Sequence, residues 1–128
     1  MDGKAVGGVV VLALVIAVFL GRGMLARDNF ESKYLTEAYA LVEHCDKYRK
    51  HQGYIIGICE SAHEAAFQKA YTAGSRRRKA KFDENRYYPE FFRVMRERAI
   101  TDGQYEVAES VTKLAEDFAT GKVTLVPG

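Results

Sequence analysis

Tryptophan is absent from this 128-residue chain, proline occurs twice (Pro89 and Pro127) and cysteine twice (Cys45 and Cys59). So little proline excludes stiff Pro-rich linkers, and two cysteines exclude a small scaffold stapled by many disulfides. Neither sign of charge dominates. The 19 Lys and Arg stand against 17 Asp and Glu, a net charge of +2, and that balance excludes a dedicated nucleic-acid binder, whose domain is strongly basic. Also missing are a phosphate-cradling glycine loop, a haem-attachment spacing and any ordering of Ser, His and Asp that signals an activated nucleophile. Neither an enzymatic activity nor a cofactor is expected.

Charge is wholly missing from one stretch. Between Lys4 and Arg22 run seventeen residues, AVGGVVVLALVIAVFLG, from Ala5 to Gly21. As a helix they rise about 26 Å, against a hydrocarbon core of roughly 30 Å. Lys4 and Arg22 can snorkel to the headgroups, and Met24-Leu25-Ala26 lengthens the apolar surface. A segment apolar on every side does not suit the surface of a soluble domain. A cleaved signal peptide is the rival reading. Against it, the positive charge of Lys4 is offset by Asp2, the apolar run exceeds the usual ~7–15 residues, and bulky Met24 occupies the best exit site. The stretch therefore reads as an uncleaved signal-anchor, a single membrane span. Its Ala13, Ala17 and Gly21 form a small-residue face suited to close packing against another membrane helix. Orientation signals conflict. Arg22, Arg27 and Lys33 against Lys4 favour a cytoplasmic C-terminal side, while the short N-terminal tail and the cysteines lean the expectation toward the exported side.

Beyond the anchor the apolar residues recur at helical spacing. Phe30, Tyr34, Ala38, Leu41, Cys45 and Tyr48 make one stripe, which predicts a helix from about Asp28 that Gly53 closes in a left-handed conformation. A second helix is predicted over Tyr54–Ala73, burying Ile55, Ile56, Cys59, Ala62, His63, Ala66, Phe67 and Ala70, with Gly74 as its stop. The short link makes the two an antiparallel hairpin. A basic loop over residues 75–86 follows. A third helix is expected to start near Pro89 and bury Phe91, Phe92, Met95 and Ala99. Thr101 and Gln104 have capping-box spacing and would open a fourth helix with Tyr105, Ala108, Val111, Ala115 and Phe118 inside, ending at Gly121. The tail, rich in Val, Thr and Leu, would be a strand or a loose end. The whole is an all-α chain: an anchor with its flanks over 1–27, a helical soluble domain over 28–121 made of a hairpin and a second helix pair, and a tail over 122–128.

Four groups of residues invite a chemical reading. Cys45 and Cys59 lie seven residues either side of Gln52 on stripes that face one another, a placement compatible with a disulfide. It would close a loop of about 15 residues and contribute roughly 3 kcal/mol. Two inert buried thiols are the alternative. Glu60 and His63 have the Glu-x-x-His spacing of di-metal bundles, and Cys59 and His63 share a helical face, but a single motif supplies too few ligands, so no metal is expected. Arg76, Arg77, Arg78, Lys79 and Lys81 form a basic cluster. It reads as a solvated loop, as a grip on anionic headgroups, or as a partner for the acids Asp102, Glu106, Glu109, Glu116 and Asp117. The fourth group is the small-residue face of the anchor.

The fragment from Leu41 to Ile58, LVEHC…GYIIGI, is similar to small exported immunity proteins of bacterial secretion systems. It covers eighteen of 128 residues, and the cysteine and proline features that follow in those proteins have no counterpart after Gly74. The resemblance implies one alternative role, an exported binding protein that neutralises a toxin or enzyme; a metal-binding protein built on Glu60 and His63 is another. The principal expectation is a single-pass membrane protein acting as an accessory or assembly subunit. Its partners would be membrane lipid and other membrane subunits or a second copy, with no nucleic acid.

Overall fold

A computed structural model describes residues 27–125, and these are mostly helical. Helix α1 occupies residues 27–42. It is followed by α2 (Gln52–Ala70), a two-stranded antiparallel hairpin of β1 (Tyr71–Thr72) and β2 (Lys81–Phe82), then α3 (Glu84–Thr101) and α4 (Tyr105–Ala119). The anchor segment and its face at Ala13, Ala17 and Gly21 lie outside the described residues. Among those described, no helix is long and apolar enough to cross a membrane.

Each helix packs antiparallel to the next. Phe30 of α1 meets Tyr71 just past the end of α2, while Tyr39 reaches back to Glu60. Lys69, late in α2, meets Glu90 early in α3, and Tyr54, early in α2, meets Asp102 at the end of α3. Tyr88 near the start of α3 touches Phe118 near the end of α4. The bundle therefore has two poles. One carries the start of α1, the β-hairpin and the start of α3; the other carries the α1–α2 link and the α3–α4 turn.

The apolar stripes close on one core that includes Tyr34, Ala38, Leu41, Ile55, Cys59, Phe67, Phe91, Met95, Val107, Val111 and Leu114. Around it, tyrosine hydroxyls donate to carboxylates on neighbouring elements: Tyr34 to Glu84, Tyr39 to Glu60 at 2.5 Å, Tyr88 to Glu37 at 2.5 Å and Tyr54 to Asp102 at 2.7 Å. A ring buries area while its hydroxyl stays paired at the rim, and a bond to a charged acceptor is stronger than a neutral one.

Several boundaries differ from those the sequence predicts, each for a local reason. Helix α1 stops at residue 42. His44 and Cys45 then donate to the carbonyls three residues back, at 3.0 Å each. These tighter bonds turn the chain inward, keep Cys45 buried and bring Lys47 and His51 to Glu106 at the start of α4, each at 3.8 Å. Gly53 is therefore not a helix stop. It lies in the first turn of α2, and the link between the first two helices is nine residues (43–51) rather than a tight turn. At the other end, α2 gives way at Tyr71, where the chain enters β1. Gly74 stops no helix; it allows the hairpin loop to fold back, since a Cβ there would lie 2.3 Å from the Ala80 nitrogen.

Helix α3 begins at Glu84, well before Pro89. Asp83 caps it by accepting the Asn85 N–H at 3.0 Å, and Glu84 favours the positive end of the helix dipole. Pro89 sits in the second turn, where its missing N–H forfeits a single bond. The basic segment is accordingly the hairpin loop, residues 73–80, and residues 83–86 belong to the cap and first turn of α3. Thr101 and Gln104 form no capping box: Thr101 is the last residue of α3, and Gln104 precedes α4 with no side-chain cap. Instead Gly103, at φ 73°, ends α3 with its own N–H on the Ile100 carbonyl (3.1 Å) and the Gln104 N–H on Ala99 (2.8 Å), the paired bonds of a Schellman stop. Gly121 ends α4 in the same way. Residues 121–125 contain no strand; Val123 and Leu125 pack against the core.

Two glycines give opposite predictions. Gly57 lies in the middle of α2 with open space where a Cβ would go, so Gly57→Ala should stabilise the protein by about 0.5–1 kcal/mol. Gly103→Ala forces a Cβ into the left-handed region and should cost about 1–2 kcal/mol. Urea unfolding followed by circular dichroism measures both, and equal signs would contradict the assigned backbone.

Candidate functional site

Polar groups are drawn into the core at one place. Tyr87 is fully buried, and its hydroxyl lies 2.7 Å from His63 Nδ1 and 3.2 Å from the Tyr34 carbonyl. A proton on Nδ1 lets His63 donate to Tyr87 while Tyr87 donates to Tyr34. His63 Nε2 is then left as a bare acceptor, without a partner among the described residues. Burial holds the imidazole below its ordinary pKa, against the weaker opposite pull of Glu31 and Glu64. Glu60, one turn away on α2, is exposed and occupied by the Tyr39 hydroxyl. The Glu60–His63–Cys59 grouping therefore does not converge: His63 points inward and Glu60 outward. Among the described residues no three His, Cys, Asp or Glu side chains are arranged to hold a metal ion.

Cys45 and Cys59 are both buried and present as free thiols. Their sulfurs are near enough that a charge on Cys45 opposes one on Cys59. The even placement about Gln52 is altered, because Cys45 lies in the turns after α1 and Cys59 in the third turn of α2. Burial pushes the Cys45 thiol up to about 11, the neighbouring Ser110 hydroxyl opposing it, and burial pushes Cys59 up to about 12. Neither suits a nucleophile or a thiolate ligand.

Two surface features remain. The basic cluster is exposed from Arg76 to Lys79 and again at Lys81, at the tip and edge of the β-hairpin. Of the acids of α4, Glu106 lies beside Lys47 and His51, and Lys113 of the same helix lies 3.2 Å from Asp46. An open groove of about 440 Å³ runs along the bundle between α3 and α4, starting at the α3–α4 turn. Its apolar walls are Ile100, 41% exposed, and Tyr105, 65% exposed. Arg96, Lys113, Glu109 and Glu116 line its margins. The sequence reading puts Tyr105 inside and overlooks Ile100. The buried face of α4 centres on Val107, Val111 and Leu114, and Tyr105, in the first turn, falls on the opposite side of the helix. Tyr87 and Ser110, both buried, are likewise missed; polar residues give no periodic signal of burial.

No protein-family model, no curated protein and no solved structure matches this chain.

His63 gives a pH prediction. An unfolded histidine titrates near 6.5 and the folded one below its ordinary value, so the unfolded state binds more protons as pH falls through that range. Stability should hold above about pH 6.5 and decline as pH falls below it. His63→Leu should lower stability at all pH values but flatten that slope; an unchanged slope would assign it elsewhere. The cysteines give a second. Burial and the raised thiol pKa of both cysteines should slow iodoacetamide labelling of the folded chain by at least about 100-fold relative to the unfolded chain. A requirement for reductant after unfolding would reveal a Cys45–Cys59 bond.

Proposed function

We propose that this chain is a single-pass, membrane-anchored interaction protein, an accessory or assembly subunit of a membrane complex, that offers the α3–α4 groove to another subunit. The observation that carries the reading is the pairing of Ile100 and Tyr105 in that groove, the exposed large hydrophobic residues among those described. Apolar side chains gathered in one open groove with a charged margin suit an amphipathic partner helix. The apolar run 5–21 supplies the anchor. In sequence it precedes α1 by five residues, and Ile100 lies about 24 Å of helix rise beyond the start of α3. The Ile100–Tyr105 end of the groove would then lie away from the bilayer.

Extracted in mild detergent at native levels, the full chain should migrate well above its own 14.4 kDa. Ile100→Glu combined with Tyr105→Glu should return it to the size of a single copy without lowering its thermal midpoint, because both side chains are exposed. A wild-type chain that runs alone, with neither partner nor copy, would overturn the reading.

A further inference from the structure

The basic loop occupies a position that its sequence does not reveal. Helix α2 runs toward the pole where α1 begins, and the chain continues past it into β1. The eight-residue loop at 73–80 is therefore an extension of the bundle at that pole. Aromatic contacts fix it there. Phe82 of β2 stacks on Tyr34 at 3.7 Å and on Phe30 at 5.9 Å, Phe30 also meets Tyr71 of β1 at 5.8 Å, and the Arg27 guanidinium lies 5.8 Å from the Phe67 ring. The loop is folded rather than trailing: Arg78 donates to the Ser75 carbonyl at 3.1 Å, and Gly74 sits directly against the backbone of residues 78–80. From Tyr71 to Phe82 there is no acidic residue, while five of the six residues from Arg76 to Lys81 are basic. Arg27, which begins the described part of α1, lies at the same pole and follows the apolar run in sequence.

We infer that the hairpin loop Arg76–Lys81 docks on the anionic lipid headgroups of the membrane that holds residues 5–21; the inference rests on the anchored reading above. Geometry and charge agree on this occupant. A chain leaving the bilayer just before Arg27 delivers this pole of the bundle to the headgroup layer, and a cluster of basic residues there is attracted to an anionic leaflet. The anionic leaflet is the cytoplasmic one. The bundle then lies on the cytoplasmic side, the reverse of the export toward which the short N-terminal tail and the cysteines lean. Arg22, Arg27 and Lys33 already favour this side by the positive-inside rule. Docking also gives the bundle a preferred orientation, with the α3–α4 turn and the Ile100 and Tyr105 beside it turned away from the lipid.

The test uses the full chain reconstituted in vesicles of phosphatidylcholine alone or mixed with phosphatidylglycerol. Ser75→Cys carries an environment-sensitive fluorophore, the two buried native thiols being left unlabelled, and lipids spin-labelled at the headgroup act as quencher. Quenching should be several-fold greater in the anionic vesicles and should fall toward the neutral value at high salt. Each basic residue near an anionic surface changes the docked-to-undocked ratio by roughly fivefold, so Arg77→Gln, Arg78→Gln and Lys79→Gln together should lower it by at least tenfold. These residues are exposed, and an unchanged circular dichroism spectrum confirms that the triple variant folds. Quenching equal in both vesicles and insensitive to salt, in protein that resists carbonate washing, overturns the docking and leaves the anchor standing. Protein that carbonate releases overturns both.

Discussion

Tyr87 is the residue on which the packing of this protein turns. A phenol ring with no exposed surface must still pair its hydroxyl, because an unpaired buried hydroxyl costs about 1–3 kcal/mol. The pairing is possible only where α1 offers the Tyr34 carbonyl and α2 offers His63 at the same point. The ring also touches Phe82 of β2 and, within α3, Tyr88 and Phe91. One side chain thus sets the relation of three helices and the hairpin. Registers that moved α1 or α2 by a turn would leave the hydroxyl or the imidazole stranded.

The same device recurs at the rim with the charge reversed. There the tyrosine hydroxyls of Tyr34, Tyr39, Tyr54 and Tyr88 donate to acids rather than to neutral acceptors. Their phenols are held protonated: the bond to Glu60 pushes Tyr39 up to about 12, and burial together with Asp102 does the same to Tyr54. A protein without tryptophan has used tyrosine for both tasks, filling the interior and directing the helices. Glu106 pairs with Lys47 and His51 at the far pole. The basic hairpin lies at one end of the bundle, and the exposed Ile100 and Tyr105 lie at the other.

The helices themselves were legible. A 3.6-residue recurrence of apolar groups located all four and most of their inward positions, since burial of a stripe is a local consequence of sequence. Ends were less legible. At the start of α3 the Asp83-Glu84 pair is a capping signal readable in the sequence, and Pro89, near which the helix is expected to begin, lies further along it at the cost of one bond. At Thr101 and Gln104 the spacing of a capping box competed with a Schellman stop at Gly103, and the stop won because a left-handed glycine satisfies two carbonyls at once. The placement of Cys45 in the turns after α1, and the divergence of Glu60 from His63, depend on helix ends, helix rotation and neighbours distant in sequence.

By itself the sequence determined the helical class, the charge-free run at 5–21 and the balanced net charge. All are properties of composition or of spacing along one element. Only the tertiary structure decided that the basic segment is a hairpin loop beside the start of α1, and that Ile100 and Tyr105 open outward at the other pole. Position relative to a pole is a relation between helices, set by a buried phenol and by two glycine-terminated turns. No periodicity within a single helix encodes it.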